Sequence, residues 1–269
     1  WGESPEFSLV ELPEPWASKY PGCKYGPAKW ACELLDEVGR QVREHDFDGR
    51  HTVEPVRVAV TSGHGCGKSA LTAMLVTWLL ATRPHAKGVV TATTALQLET
   101  KTFAEVKKWI KRSLVGDMFE IQARSVAAKE SPETWRIDIQ TCREENSEAF
   151  AGQHSASSSS VYIFDEASGV PDKIWEVAEG GLTDGEPFIF VFGNPTKNSG
   201  AFYDCFHRDA ARWTRFKVDS REAPLTNKKT IQEWAEAFGE DSDFFKIRVR
   251  GEFPGNASTQ FIPSAAVEA

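Results

Sequence analysis

Lys68 and Ser69 close the run Ser62-Gly-His-Gly-Cys-Gly-Lys-Ser69, in which glycine recurs at 63, 65 and 67. The chemistry of such a run is phosphate binding. Successive backbone N–H groups of Ser62, Gly63, His64, Gly65, Cys66 and Gly67 can line one concavity, Lys68 adds a point charge for the β/γ oxygens, and the Ser69 hydroxyl can ligate Mg²⁺. The three glycines are expected to take positive φ and to let the backbone approach the ligand. The pattern G-x-x-x-x-G-K-[ST] is met except at its first position, where Ser62 stands. A second stretch, Val161-Tyr-Ile-Phe-Asp-Glu166, ends an apolar run in two adjacent carboxylates. Hydrolysis of a bound nucleotide needs two acids with different duties: Asp165 would hold the hydration shell of the Mg²⁺ ion, through water, and Glu166 would polarise the attacking water. A third stretch, Pro187 to Thr196, is an apolar run ending in Gly-Asn-Pro-Thr, and it would carry the Asn194 amide toward the γ-phosphate as a sensor. Lys68, Glu166 and Asn194 are the candidate catalytic residues.

The elements that must position these groups follow from the hydrophobic pattern. A strand from Val56 to about Val60 leads into the loop, and Ala70 to Leu80 reads as a buried helix whose N-terminus would face the phosphates. Gly88 to Thr94 reads as a second parallel strand, followed by a helix from about Ala95 to Lys111. Strand, helix, strand, helix is the order of a doubly wound α/β sheet. Trp135 to Gln140 should add a strand, residues 146–160 a polar loop, and Trp213 to Val218 a late strand. Phe202 to Phe206 and Ile231 to Phe238 read as helical. The strand 187–192 is expected beside the strand of the phosphate loop, which would bring Asn194 to the ligand-binding edge. Before the loop strand, Trp30, Leu34, Leu35, Val38 and Val42 share one helical face up to about Arg43, and Trp30 reads as packing. Residues 1–28 read as an irregular arm, 29–254 as the nucleotide-binding domain and 255–269 as a linker.

A net charge of −8 and a pI near 5.4 exclude a chain that binds polyanions over its whole surface. The basic groups Lys107, Lys108, Lys111, Arg112 and His207, Arg208, Arg212, Arg215 read as solvated faces. Five cysteines at irregular spacing form neither a zinc nor a disulfide pattern and point to a reducing compartment. No apolar run reaches membrane-spanning length and no signal peptide is visible, so no membrane partner is expected. A chain beginning at Trp1 reads as a fragment.

Taken together, SGHGCGKS, VVTATTALQLETKTFAEVKKW, FAGQHS, VYIFDEASGVPDKIWE, FGNPTKNSGAFYDCF and RVRGEFP resemble the ATPase domain of the large terminase subunit of tailed bacteriophages, from about residue 28 to 265. The resemblance implies an α/β P-loop NTPase of the additional-strand, catalytic-glutamate (RecA-like) class, with a central, mostly parallel sheet flanked by helices. One strand would lie between the P-loop strand and the Walker B strand that ends in Asp165. It implies ATP and Mg²⁺ as cofactors and ATP-driven translocation of double-stranded DNA into a procapsid by a homo-oligomeric ring, a pentamer. The portal protein and the small terminase subunit are the implied partners, and the cytoplasm of the infected host is the implied location. Asn194 falls in the segment that couples hydrolysis to movement. Gln97 lies in the turn after the second strand, with no role assigned. A nuclease is implied only for a C-terminal domain beyond this chain.

The chain departs from the family at two positions. His64 stands where the family often has an arginine, and Gln153 and His154 stand where it commonly has one before the Walker B strand. That second arginine reaches a neighbour's nucleotide, so Arg124 and Arg143 become candidates for the role, and the isolated chain is expected to hydrolyse ATP slowly. Three other readings compete: a helicase-like translocase, a nucleotide kinase, and an assembly module that binds nucleotide without efficient hydrolysis. The first needs a second RecA-like domain that this length does not hold, and Glu166 speaks against the second.

Overall fold

The computed structural model describes residues 10–11, 14, 16–19, 25–153 and 156–255. The expected linker beyond residue 255, most of the arm and His154 lie outside them. Ten strands are present among the described residues: β1 (Val10–Glu11), β2 (Tyr25–Gly26), β3 (Val56–Ser62), β4 (Lys87–Ala92), β5 (Phe119–Ile121), β6 (Ser125–Ala128), β7 (Arg136–Thr141), β8 (Ser159–Asp165), β9 (Glu186–Gly193) and β10 (Thr214–Val218). The helices are α1 (Trp16–Lys19), α2 (Lys29–His45), α3 (Lys68–Thr82), α4 (Ala95–Gln97), α5 (Phe103–Arg112), α6 (Asp172–Gly180), α7 (Ala201–Asp204), α8 (Lys228–Phe238) and α9 (Asp243–Phe245). The arm is not wholly irregular, because β1 and β2 pair antiparallel and α1 adds one turn.

Eight strands form one sheet in the order β10-β3-β9-β8-β4-β7-β6-β5. The loop strand β3 and the Walker B strand β8 therefore have one strand, β9, between them, and β9 lies beside β3, as expected. β4 pairs in parallel with both β7 and β8, while β5 and β6 form an antiparallel extension on β7 that periodicity did not reveal. Every residue of β3, β8 and β9 is buried, the signature of central strands covered on both faces. Among the described residues no helix is long and apolar enough to cross a membrane.

The described residues divide into two compact units: those up to 33, 59–66 and from 192 to 255 in one, and those within 34–58 and 67–191 in the other. The second holds α3, which is buried along most of its length (Leu71, Thr72, Ala73, Leu75, Val76, Thr77, Leu79, Leu80). It also holds the β4-β7-β8 ladder. β8 begins at Ser159, two residues earlier than its apolar run suggests, because buried hydroxyls find protein partners. Ser158 donates to Pro84 O, Ser159 to the Glu186 carboxylate and Ser160 to Gly181 O. Glu186 also receives a two-point contact from Arg83. In the first unit, Ile231, Phe245 and Val249 form a small core against Trp234 and Ala235.

Candidate active site

Because β4, β7 and β8 run parallel, their carboxyl ends share one edge, the edge at which such sheets bind ligands. Asp165 ends β8 there and is 6% exposed. One of its oxygens accepts the Glu166 N–H at 3.0 Å, and the other accepts the hydroxyl of Thr102, itself fully buried. Glu166 follows in the left-handed region (φ 56°, ψ 44°). For a residue with a Cβ that conformation costs on the order of 1 kcal/mol and is held by its surroundings. Gln97 Nε2 donates to the Glu166 carboxylate, and Thr93 Oγ1 stands 3.5 Å from it. Burial and the neighbouring Asp165 push the Glu166 carboxyl above the ordinary glutamate range, against opposing effects of Lys101, Gln97 and Thr93.

The donors come from one irregular stretch. The expected helix from Ala95 is not continuous: α4 passes into a π-helical turn, Leu98–Thr102, before α5. That turn carries Thr102 to Asp165, while Gln97, at its start, reaches Glu166. Sequence reading left Gln97 without a role and missed Thr102 altogether. A hydroxyl inside an amphipathic run carries no periodic signal.

The helix α3 begins at Lys68, two residues earlier than the apolar pattern indicates, with Gly67 as its cap in the left-handed region (φ 89°). Lys68 and Ser69 thus occupy the first turn, where backbone N–H groups lack helical partners and favour an anion. Both are half-buried. Among the described residues no group of three or more His, Cys, Asp or Glu could hold a metal by itself. Mg²⁺ is ordinarily held by one or two protein oxygens, waters and the substrate's phosphates. Both Asp165 oxygens already accept protein N–H or O–H groups, which suits contact with such an ion through water.

The first half of the loop belongs to the other unit, with its Gly63 and His64 N–H groups held by backbone and its carbonyls by side chains. Ser62 ends β3, fully buried, with its hydroxyl donating to Gly63 O. Asn194 Nδ2 donates to Ser62 O at 2.6 Å, so this amide fastens the base of the loop. Gly63 N–H donates to Val218 O and His64 N–H to Arg248 O. Gly65 and Gly67 take positive φ, as expected, but Gly63 does not. A Cβ on Gly63 would lie 2.2 Å from Ser220 Oγ, 2.4 Å from Val249 O and 2.7 Å from Arg248 O. Gly63 is therefore small to admit its own chain. Cys66 is buried, and its carbonyl accepts the Trp30 indole N–H at 3.1 Å, so Trp30 does more than pack. His64 and Gly65 are exposed.

Of the candidates for the neighbour-reaching arginine, Arg124 pairs with Glu99 at 3.7 Å. Arg143 is exposed just beyond the carboxyl end of β7, where its N–H donates to Asn146 Oδ1. In the basic cluster on α5, Lys107 lies over the Phe103 ring and Lys108 pairs with Glu105.

No family model matches the chain. A protein of Enterobacteria phage P7 named probable terminase, large subunit, is 35% identical over 217 residues, covering 73% of this chain and 42% of that protein. The chain thus spans less than half the length of this curated relative. The large terminase ATPase domain of Thermus phage P74-26 superposes with a TM-score of 0.54 at 19% identity, covering 73% of this chain and 88% of that one. The large terminase of a thermophilic bacteriophage, solved in complex with ADP, gives a TM-score of 0.62 at 13% identity, covering 84% of this chain and 54% of that one. The structural neighbours establish the fold and the phage relative establishes the homology: the chain belongs to the large terminase family, over the part that carries the ATPase-domain fold.

Proposed function

We propose that residues 29–254 form an ATP-hydrolysing motor domain that drives double-stranded DNA into a procapsid. The observation that carries this reading is the pair Asp165 and Glu166 at the carboxyl end of β8, each with its own donors and with Glu166 in a left-handed conformation. A strand cap would need neither feature. The solved relative from a thermophilic phage takes up ADP and ATP-γ-S, which supports a nucleotide in this fold.

In the proposed reaction the amides of the first turn of α3 and the Lys68 ammonium hold the β- and γ-phosphates. Ser69 and, through water, Asp165 would hold Mg²⁺, which supplies charge neutralisation at the transferring phosphoryl group. Glu166 accepts a proton from the water that attacks the γ-phosphorus as the bond to the β–γ bridging oxygen breaks. A carboxyl raised by burial is a better base at neutral pH than an ordinary glutamate. Asn194, fastened to the base of the loop, is suited to pass a change in the loop to the segment that follows β9. The acting form is a ring of copies, a pentamer, with the portal protein and the small terminase subunit as partners in the host cytoplasm. Arg124 and Arg143 are the candidates for contact with a neighbour's nucleotide.

Replacement of Glu166 by glutamine tests the reading. Single-turnover and steady-state assays should show ATP hydrolysis reduced on the order of a hundredfold or more, with ADP affinity retained. Unchanged turnover would remove Glu166 from the chemistry. Wild-type protein that binds nucleotide without hydrolysing it, alone or assembled, would favour the assembly-module reading.

A further inference from the structure

In a trans peptide the C=O and the following N–H point to opposite sides of one plane. A group that holds a loop carbonyl therefore aims the next amide the other way. Two carbonyls of the loop are held in this manner by side chains. Ser220 Oγ donates to His64 O at 2.8 Å, which turns the Gly65 N–H away from Ser220. Trp30 Nε1 donates to Cys66 O at 3.1 Å, which turns the Gly67 N–H away from the indole. Gly65 and Gly67 are both exposed and both have positive φ, as amides presented to a ligand require. The N–H groups of Gly63 and His64 are engaged by Val218 O and Arg248 O, so the phosphate-facing amides fall at Gly65 and beyond.

The anchor at Ser220 is itself braced. Ser220 is 2% exposed, its N–H donates to Val249 O at 2.8 Å, and its oxygen stands 3.5 Å from Cys66 Sγ. The turn it opens is closed by Thr226 Oγ1, which donates to Ser220 O and Ala223 O, and by Lys228 Nζ, which donates to the same two carbonyls. Thr226 also packs under Gly65, where a Cβ would come within 3.2 Å of its methyl group.

We propose that Ser220 and Trp30 are positioning residues of the nucleotide site, which orient the Gly65 and Gly67 amides toward phosphate by holding the carbonyls of His64 and Cys66. This rests on the nucleotide-binding reading above and assigns to two residues outside the loop the aim of its donors. Neither residue touches the nucleotide through these contacts.

Ser220→Ala and Trp30→Phe remove one donor each. Calorimetric titration of the whole chain with ADP and, separately, with inorganic pyrophosphate should show both affinities reduced about five- to tenfold in each variant, the equivalent of one lost hydrogen bond. Pyrophosphate has no base, so its loss reports the phosphate cradle alone. Ser242→Ala is the control. It removes the cap of α9, where Ser242 Oγ accepts the Phe245 N–H in the same unit, and should lower stability while leaving both affinities unchanged. Variants that lose stability like Ser242→Ala but bind both ligands as wild type overturn the inference. So does a Trp30→Phe variant that weakens ADP but not pyrophosphate, since that marks a base contact. If Ser220→Ala does not fold, Trp30→Phe decides, and wild-type affinity for pyrophosphate there overturns the inference. Wild-type protein that binds neither ligand overturns the nucleotide reading itself, and this inference with it.

Discussion

The carboxylate pair and the N–H groups at the base of the phosphate loop are held by different means. Around Asp165 and Glu166 the partners are the side chains of Thr102, Gln97 and Thr93 together with one backbone N–H, that of Glu166, and one of the two acids sits in a strained backbone conformation. The N–H groups of Gly63 and His64 are held by the backbone carbonyls of Val218 and Arg248, and Val249 O and Arg248 O stand so close to Gly63 that a single methyl does not fit. Side-chain partners can be exchanged one atom at a time and so tune the acidity and aim of a base. Backbone partners fix a shape and change only if whole segments move. The comparison assigns adjustable chemistry to the carboxylates and rigid framing to the base of the loop.

Substitutions on the two sides should fail differently. After the loss of turnover in Glu166→Gln, the largest effect should come from Gly63→Ala. Its new methyl meets two backbone oxygens that cannot turn aside, so chemical denaturation should show a loss near 3 kcal/mol, the upper end for overpacking. A change within experimental error would show the frame to be softer than its distances indicate. Thr102→Val keeps the shape but removes the donor to a buried carboxylate, and should cost about 1–2 kcal/mol. Thr102→Ser should recover most of it; if it does not, the methyl rather than the hydroxyl holds the site. Gln97→Ala should change stability least and act on the pH profile. Donation by Gln97 favours the charged form of Glu166, so its removal raises that carboxyl further and moves the acidic limb of kcat to higher pH. A limb that stays in place or moves down would detach Gln97 from Glu166. The sign for stability is also fixed. A carboxyl raised in the folded state makes the protein relatively more stable below the ordinary glutamate range, and that gain is lost as pH rises through the folded value.

Much of this arrangement was legible in the sequence because it is local or periodic. The strand, loop and helix around Lys68, the apolar run into Asp165 and Glu166, and the strand that became β9 all follow from patterns within a few tens of residues, while one strand between β3 and β8 is implied by the family resemblance. What escaped was set by contacts distant in the chain. Gly63 looks like a ligand-binding glycine until Ser220 and Val249 are seen against it. Ser158, Ser159 and Ser160 look like a loop until Pro84, Glu186 and Gly181 supply their partners. Trp30 matches the core face of α2, and nothing in that face tells a packed indole from one whose N–H holds Cys66 O.

The π-helical turn Leu98–Thr102 is a phase correction. On a regular α-helix two residues five positions apart diverge by about 140° around the axis, since each residue advances about 100°. Gln97 and Thr102 are five apart, yet they serve neighbouring acids, Glu166 and Asp165. The widened turn brings them into phase, which ties the length of this segment to the site. The same residues closed into an unbroken α-helix of unchanged length would hold the two side chains about 140° apart and could not satisfy both carboxylates at once.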